Sequence, residues 1–206
     1  MAHTIQEFLA SGDFTIGAVD SKTRIAPVTR DGRPIFICLA KTPTLTTPFS
    51  PWPSYDGNER TSLDLRCEGD SDLAKLAERI DEIVQKQVLA DPTKFYSKPP
   101  KNLQDQYNSL HRPPSKEGYS GTFRTKCSFR KKSASFRAWD LEKGTQLTVD
   151  QLKELDWTNS EMAIVAKLSG VYFQATGYGA VMNLQTVGLR AGSTECPFEC
   201  VEPTFE

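Results

Sequence analysis

Histidine is nearly missing from this chain: only His3 and His111 occur in 206 residues. Acid–base catalysis of the Ser-His-Asp kind would have to rest on His111, inside a Pro-rich stretch. Cysteine is scarce too. Cys38, Cys67, Cys127, Cys196 and Cys200 are odd in number and scattered, which makes a poor disulfide framework. Cys196 and Cys200 form a C-x-x-x-C pair, but no second close pair completes a tetrahedral metal site. Free thiols in a reducing compartment are the expectation, with no metal and no cofactor. There is no P-loop and no G-x-G-x-x-G after a strand. No apolar run approaches the roughly 20 residues that cross a bilayer. The opening "MAHTIQEFLASGDF" has neither the basic start nor the apolar centre of a signal peptide. These absences point to a non-catalytic, intracellular protein without a membrane partner.

What is present describes a folded chain: 38% hydrophobic residues, 25% charged and a formal net charge of -1. Asp31-Gly32 before "RPIFICLA" is a hairpin signal, because both central turn residues must reach positive φ. The segment 42–54, with four prolines, is a loop or an edge. "SLDLRC" (62–67) alternates as a strand does. From the N-cap candidates Asp70 and Ser71, apolar residues at 73, 76, 77, 80, 83, 84 and 88 predict a helix over about 72–89. Asp81 and Glu82 read as its polar face. Residues 91–121 hold Pro92, Pro99, Pro100, Pro113 and Pro114 and form a long polar loop, functional or disordered. Then come "TFRTKCSFR" and the two long strands of 162–175 and 180–191, where Gly170 marks a bulge or barrel bend. The fold class is mainly β: a small antiparallel barrel with one inserted α-helix and a long Pro-rich loop, a single domain over 1–192.

The segment 122–139, "TFRTKCSFRKKSASFRAW", holds six cations, four aromatics and no acid. Alternation turns Phe123, Cys127 and Phe129 inward and Arg124, Lys126 and Arg130 outward. Phe136 and Trp139 lie beyond the break and are freer to reach solvent. A solvated sheet edge, a polyanion patch and a single-stranded nucleic-acid surface all fit; the missing acids favour the last. Residues 193–206 form an acidic C-terminal tail with Glu195, Glu199, Glu202 and Glu206 and no cation. It can cover the basic groove until nucleic acid displaces it, or be a solvated terminus.

The order of elements, ending in "VAKLSGVYFQATGYGAVMNLQTVGLRAG", resembles the viral single-stranded-DNA-binding proteins of the podophage type and their counterparts in large eukaryotic DNA viruses. The resemblance implies an OB-fold that coats single-stranded DNA in viral DNA replication and recombination, commonly as a homodimer, with an acidic tail that recruits replication proteins. It implies residence in a host's cytoplasm or nucleus. It places Lys167, Tyr172, Phe173 and Tyr178 on the binding face and Arg124 to Arg137 on the basic strand. The expected phosphate contacts are Arg124, Lys126, Arg130, Lys131, Lys132, Arg137 and Lys167; the expected stacking rings are Trp139, Tyr172 and Tyr178. RNA stays open as an alternative ligand. The competing reading is a non-catalytic structural or interaction protein of a virion or replication complex.

Overall fold

A computed structural model of the chain describes residues 2–51, 62–114, 116–130 and 133–190, with only the backbone described at Phe129, Arg130 and Asn159. The chain opens with β1 (His3–Thr4), helix α1 (Ile5–Ala10), β2 (Thr15–Ile16), β3 (Ile25–Thr29), β4 (Ile35–Leu45) and β5 (Ser62–Cys67). Helix α2 (Asp72–Ala90) follows, then the Pro-rich stretch ending in β6 (His111–Arg112). Next are β7 (Gly121–Lys126), β8 (Phe129–Arg130), β9 (Ser133–Ala134), β10 (Arg137–Asp140) and β11 (Thr145–Gln146). Helix α3 (Val149–Glu154) leads into the long strands β12 (Glu161–Gln174) and β13 (Gly177–Arg190).

The expected mainly-β class holds. Two details differ. Short helices α1 and α3 join α2, each started by a threonine capping box, Thr4 with Glu7 and Thr148 with Gln151. The sheet is mixed: β12 and β13 pair antiparallel along most of their length, whereas β1–β4, β10–β13 and β7–β13 are parallel. Among the described residues it does not close into a complete barrel.

Asp31 and Gly32 form the expected turn, both at positive φ (51° and 71°), with Arg30 and Arg33 exchanging backbone hydrogen bonds. It is not a simple hairpin. Strands β3 and β4 each lie along β12, at residues 170–172 and 162–168 respectively. Between those two regions β12 bulges, and Gly170 sits against the backbone of β3: a Cβ there would stand 2.4 Å from the Ala26 oxygen. The bulge turns the strand. Lys167 and Ser169 before it, and Tyr172 after it, then share the more exposed side of the sheet.

Helix α2 starts at Ser71, whose Oγ accepts the Ala74 N–H. It buries Leu73, Leu76, Ile80, Ile83, Val84 and Val88, each side chain gaining about 1.5–3 kcal/mol over exposure. Asp81 is a correction: it is buried on this helix, not part of a wetted face. The Pro-rich stretch is likewise no solvated linker. Phe95, Tyr96, Leu103 and Leu110 are core residues. Phe95 stacks on Phe173 at 4.9 Å and Tyr96 meets the same ring edge-on. The described helices include none long and apolar enough to cross a membrane.

Candidate nucleic-acid interface

Hydrogen-bond register aligns side chains across the exposed side of the sheet. One row runs Phe36 (β4), Lys167 (β12), Asn183 (β13), Lys126 (β7). A second runs Cys38, Val165, Thr186, Arg137 (β10). A third brings Trp139 beside Gly188 and Ala163. With strands about 4.8 Å apart, a four-strand row spans roughly 14 Å. Their neighbours Ile35, Ile37, Ala166, Leu168, Leu184, Val187 and Ala138 point into the core. Strand alternation therefore both builds the hydrophobic layer and presents these rows.

Three shallow depressions join along this face. The first is walled by Arg112, Arg124, Lys126 and Tyr172; the second runs from Lys126 to Asn183 and Gln185; the third runs from Gln185 to Phe36 and Arg137. Among the described residues, no aspartate or glutamate lines any of them. The contrast with the rest of the surface is sharp. A hollow beside α3 is rimmed by Asp140, Glu142, Glu154 and Asp156 with the single cation Lys143, and another on α2 by Glu78, Asp81 and Glu82. An acid-free trough in a near-neutral protein concentrates positive potential where a polyanion can reach it.

Two cations of this face stand beside rings. Lys126 Nζ lies 6.0 Å from the centroid of Tyr172, and Lys167 Nζ 6.0 Å from that of Phe36. Burial raises the Tyr172 hydroxyl above its usual range, while the Asn108 amide and the Arg112 charge pull it back. The ring stays neutral at physiological pH. Its half-buried setting holds it in place with part of its surface open.

Of the expected site residues, Lys126, Arg137, Trp139, Lys167 and Tyr172 come together on this face. Trp139 keeps 38% of its surface exposed. Arg124 reaches the trough but is engaged: its Nε and Nη2 donate to the Asp64 carboxylate at 2.6 and 2.7 Å. Phe173 and Tyr178 are core residues, each fully buried. Their rings stack at 6.0 Å beneath the Pro-rich stretch, and Tyr107 packs edge-on against Tyr178. Burial, with Tyr96 close by, pushes the Tyr178 hydroxyl up to about 12. Neither ring is open to a base. Phe136 is also buried, edge-on to Trp157 at 6.5 Å. The side chain of Arg130, the residues Lys131 and Lys132, and the tail 193–206 lie outside the described residues.

The sequence reading missed Phe36, Arg112, Asn183 and Gln185. Phe36 carried a signal, since "IFICLA" alternates with Ile35, Ile37 and Leu39 inward. Arg112 carried none, because only the pairing of β6 with β7 brings the Pro-rich stretch to the trough. Cys38, Cys67 and Cys127 are free thiols; burial raises Cys127 to about 12, so it stays protonated. The described residues contain no His/Cys/Asp/Glu cluster that could hold a metal. Cys196 and Cys200 lie outside them.

No protein-family model and no curated protein matches the chain. Among solved structures it is similar to the single-stranded DNA-binding protein from bacteriophage Enc34 in complex with ssDNA. That match has 14% identity over 90% of this chain and 99% of that one, at a TM-score of 0.46. A second structure of the single-stranded DNA-binding protein from bacteriophage Enc34 matches at 12% identity, 90% and 96% coverage and a TM-score of 0.47. Its C-terminal truncation matches at 12%, with 86% and 94% coverage and a TM-score of 0.45.

Proposed function

We propose that the chain is a non-catalytic, sequence-independent binder of single-stranded DNA, serving DNA replication or recombination in a virus. The observation that carries the reading is the trough, which no described acid lines and whose face sets Lys126 beside Tyr172 and Lys167 beside Phe36. Arg112, Lys126, Arg137 and Lys167 take successive phosphates, and Tyr172, Phe36 and Trp139 take bases. Base-on-ring stacking contributes about 1–3 kcal/mol per base and needs no particular base, because every base has a π-face. Neutralising phosphates releases counterions, which makes the affinity salt-dependent. Arg130, Lys131 and Lys132 belong to the same basic segment of the sequence and add phosphate contacts in this reading. The acidic tail would compete for the trough or recruit replication proteins.

The trough also favours a single strand over a duplex. Its platforms can stack only bases that have left the duplex stack. Titration of labelled oligo-dT, and of duplex DNA of equal length, at two salt concentrations tests the reading. Oligo-dT binding is expected at micromolar concentrations or below in low salt, weakening with salt, with the duplex bound less tightly. Equal affinity for both would leave only nonspecific charge.

A further inference from the structure

We infer that Asp81 is a positioning residue for binding: from helix α2 it holds the 107–112 segment so that Arg112 and Asn108 form one wall of the trough. The inference rests on the single-strand reading of the trough.

A carboxylate removed from water is costly unless hydrogen-bonded donors replace the lost solvation. Asp81 is 7% exposed, and the donors that satisfy it come from one short segment. Tyr107 Oη donates to Oδ1 and Ser109 Oγ to Oδ2, each at 2.5 Å. The backbone N–H of Leu110 also points at the carboxylate. Helix α2 could have ended its apolar stripe without a buried acid. The acid instead ties a stretch of chain rich in proline and polar residues to a rigid helix.

That segment is stitched on its other side as well. Asn108 N donates to Tyr178 O at 2.8 Å, Arg124 N donates to Leu110 O at 3.2 Å, and Arg112 pairs with Thr122 of β7. Extended chain alternates, so Tyr107 and Ser109 turn to the helix while Asn108, between them, turns toward Tyr172. Residues Asn108, Ser109, Leu110 and Arg112 line the trough, and Asp81 does not. Asp81 can thus act on a bound strand only through the segment it holds. Arg112 is exposed and is the segment's one cation, so it is the group whose position Asp81 controls.

A double-mutant cycle separates this role from simple stabilisation. Asp81→Ala, Arg112→Ala and the double variant are titrated with oligo-dT below their melting temperatures, and their melting temperatures are recorded. Asp81→Ala is expected to weaken binding about threefold to tenfold, the range of indirect couplings. It should flatten the salt slope by up to about 0.7, one phosphate contact. In the Arg112→Ala background it should cause no further loss. An equal loss in both backgrounds would overturn the inference, as would a fall in melting temperature with unchanged affinity. Should Asp81→Ala fail to fold, the cycle is run with Asp81→Asn, which keeps one acceptor oxygen and replaces the other with an amide NH2 that cannot accept from the hydroxyl it faces. Failure of the unmodified protein to bind oligo-dT would sink the trough reading itself, a result distinct from an additive cycle.

Discussion

The Lys126 ammonium stands 6.0 Å from the centre of the Tyr172 ring, although the two residues lie on different strands and far apart in sequence. A phosphate partner and a base platform are therefore neighbours. The two should contribute to binding in separable ways. Tyr172→Ala is expected to weaken oligo-dT binding by about 1–3 kcal/mol while keeping the salt slope, and Tyr172→Phe to bind nearly as well as the original. Lys126→Ala should lower both affinity and slope. Fluorescence titrations at several salt concentrations distinguish these patterns, and a Tyr172→Ala variant with full affinity would remove the ring from the site.

Arg124 should matter less than Lys126 despite its place in the basic strand. Asp64 takes two of its donors and holds the guanidinium above its ordinary range. Arg124→Ala is expected to leave the salt slope close to that of the original. Asp64→Asn should steepen it, by about 0.7 if the freed guanidinium takes one phosphate. A slope unchanged by Asp64→Asn would show that Arg124 does not face the ligand.

Phe173 is a stability residue. It is fully buried and stacked on both Phe95 and Tyr178, so Phe173→Ala should cost about 3–5 kcal/mol of folding free energy. Chemical denaturation measures that loss. Oligo-dT affinity, taken where the variant is still folded, should stay within twofold or so of the original, because the ring makes no surface. A selective loss of affinity without loss of stability would return the ring to the site.

Burial pushes the Asp81 carboxyl above its ordinary value of 3.8, against the hydrogen bonds from Ser109 and Tyr107. Between 3.8 and the raised folded value, the folded state keeps a proton that the unfolded chain has lost. Stability from this group therefore falls as pH rises through that window and is level above it. An asparagine has no such step. The melting-temperature difference, original minus Asp81→Asn, is expected to decrease from pH 3.8 upward and then flatten. A difference that grows with pH would mean that the hydrogen bonds outweigh burial and the carboxyl is held low.

Local signals reported local structure well. The helix at 72–90, the Asp31-Gly32 turn and the Gly170 bulge were all written in spacing or residue type. The two short helices were also legible, as T-x-x-E and T-x-x-Q, and were passed over because six residues are too few for apolar periodicity to show. Phe36 and Arg137 lie on one face only because Lys167, Val165 and Thr186 bring four strands into register, which no local window contains. Phe173 and Tyr178 misled for the same reason. The rings that bury them, Phe95, Tyr96 and Tyr107, come from a stretch whose prolines and charges read as solvated. The Asp64–Arg124 pair was hidden likewise, since the register of β5 with β7 sets them opposite each other.

The most direct test of the trough removes its charge and compares the result with an equal change elsewhere. Lys126→Ala, Arg137→Ala and Lys167→Ala are combined in one protein, and Lys22→Ala, Lys75→Ala and Lys86→Ala in another, so both lose three cations. Oligo-dT affinity is then measured against salt for both and for the original. The trough variant should bind far more weakly, with a slope lower by about 2, three contacts at about 0.7 each. The control should keep the original slope. Equal losses in the two variants would mean that overall charge binds the strand and the trough does not.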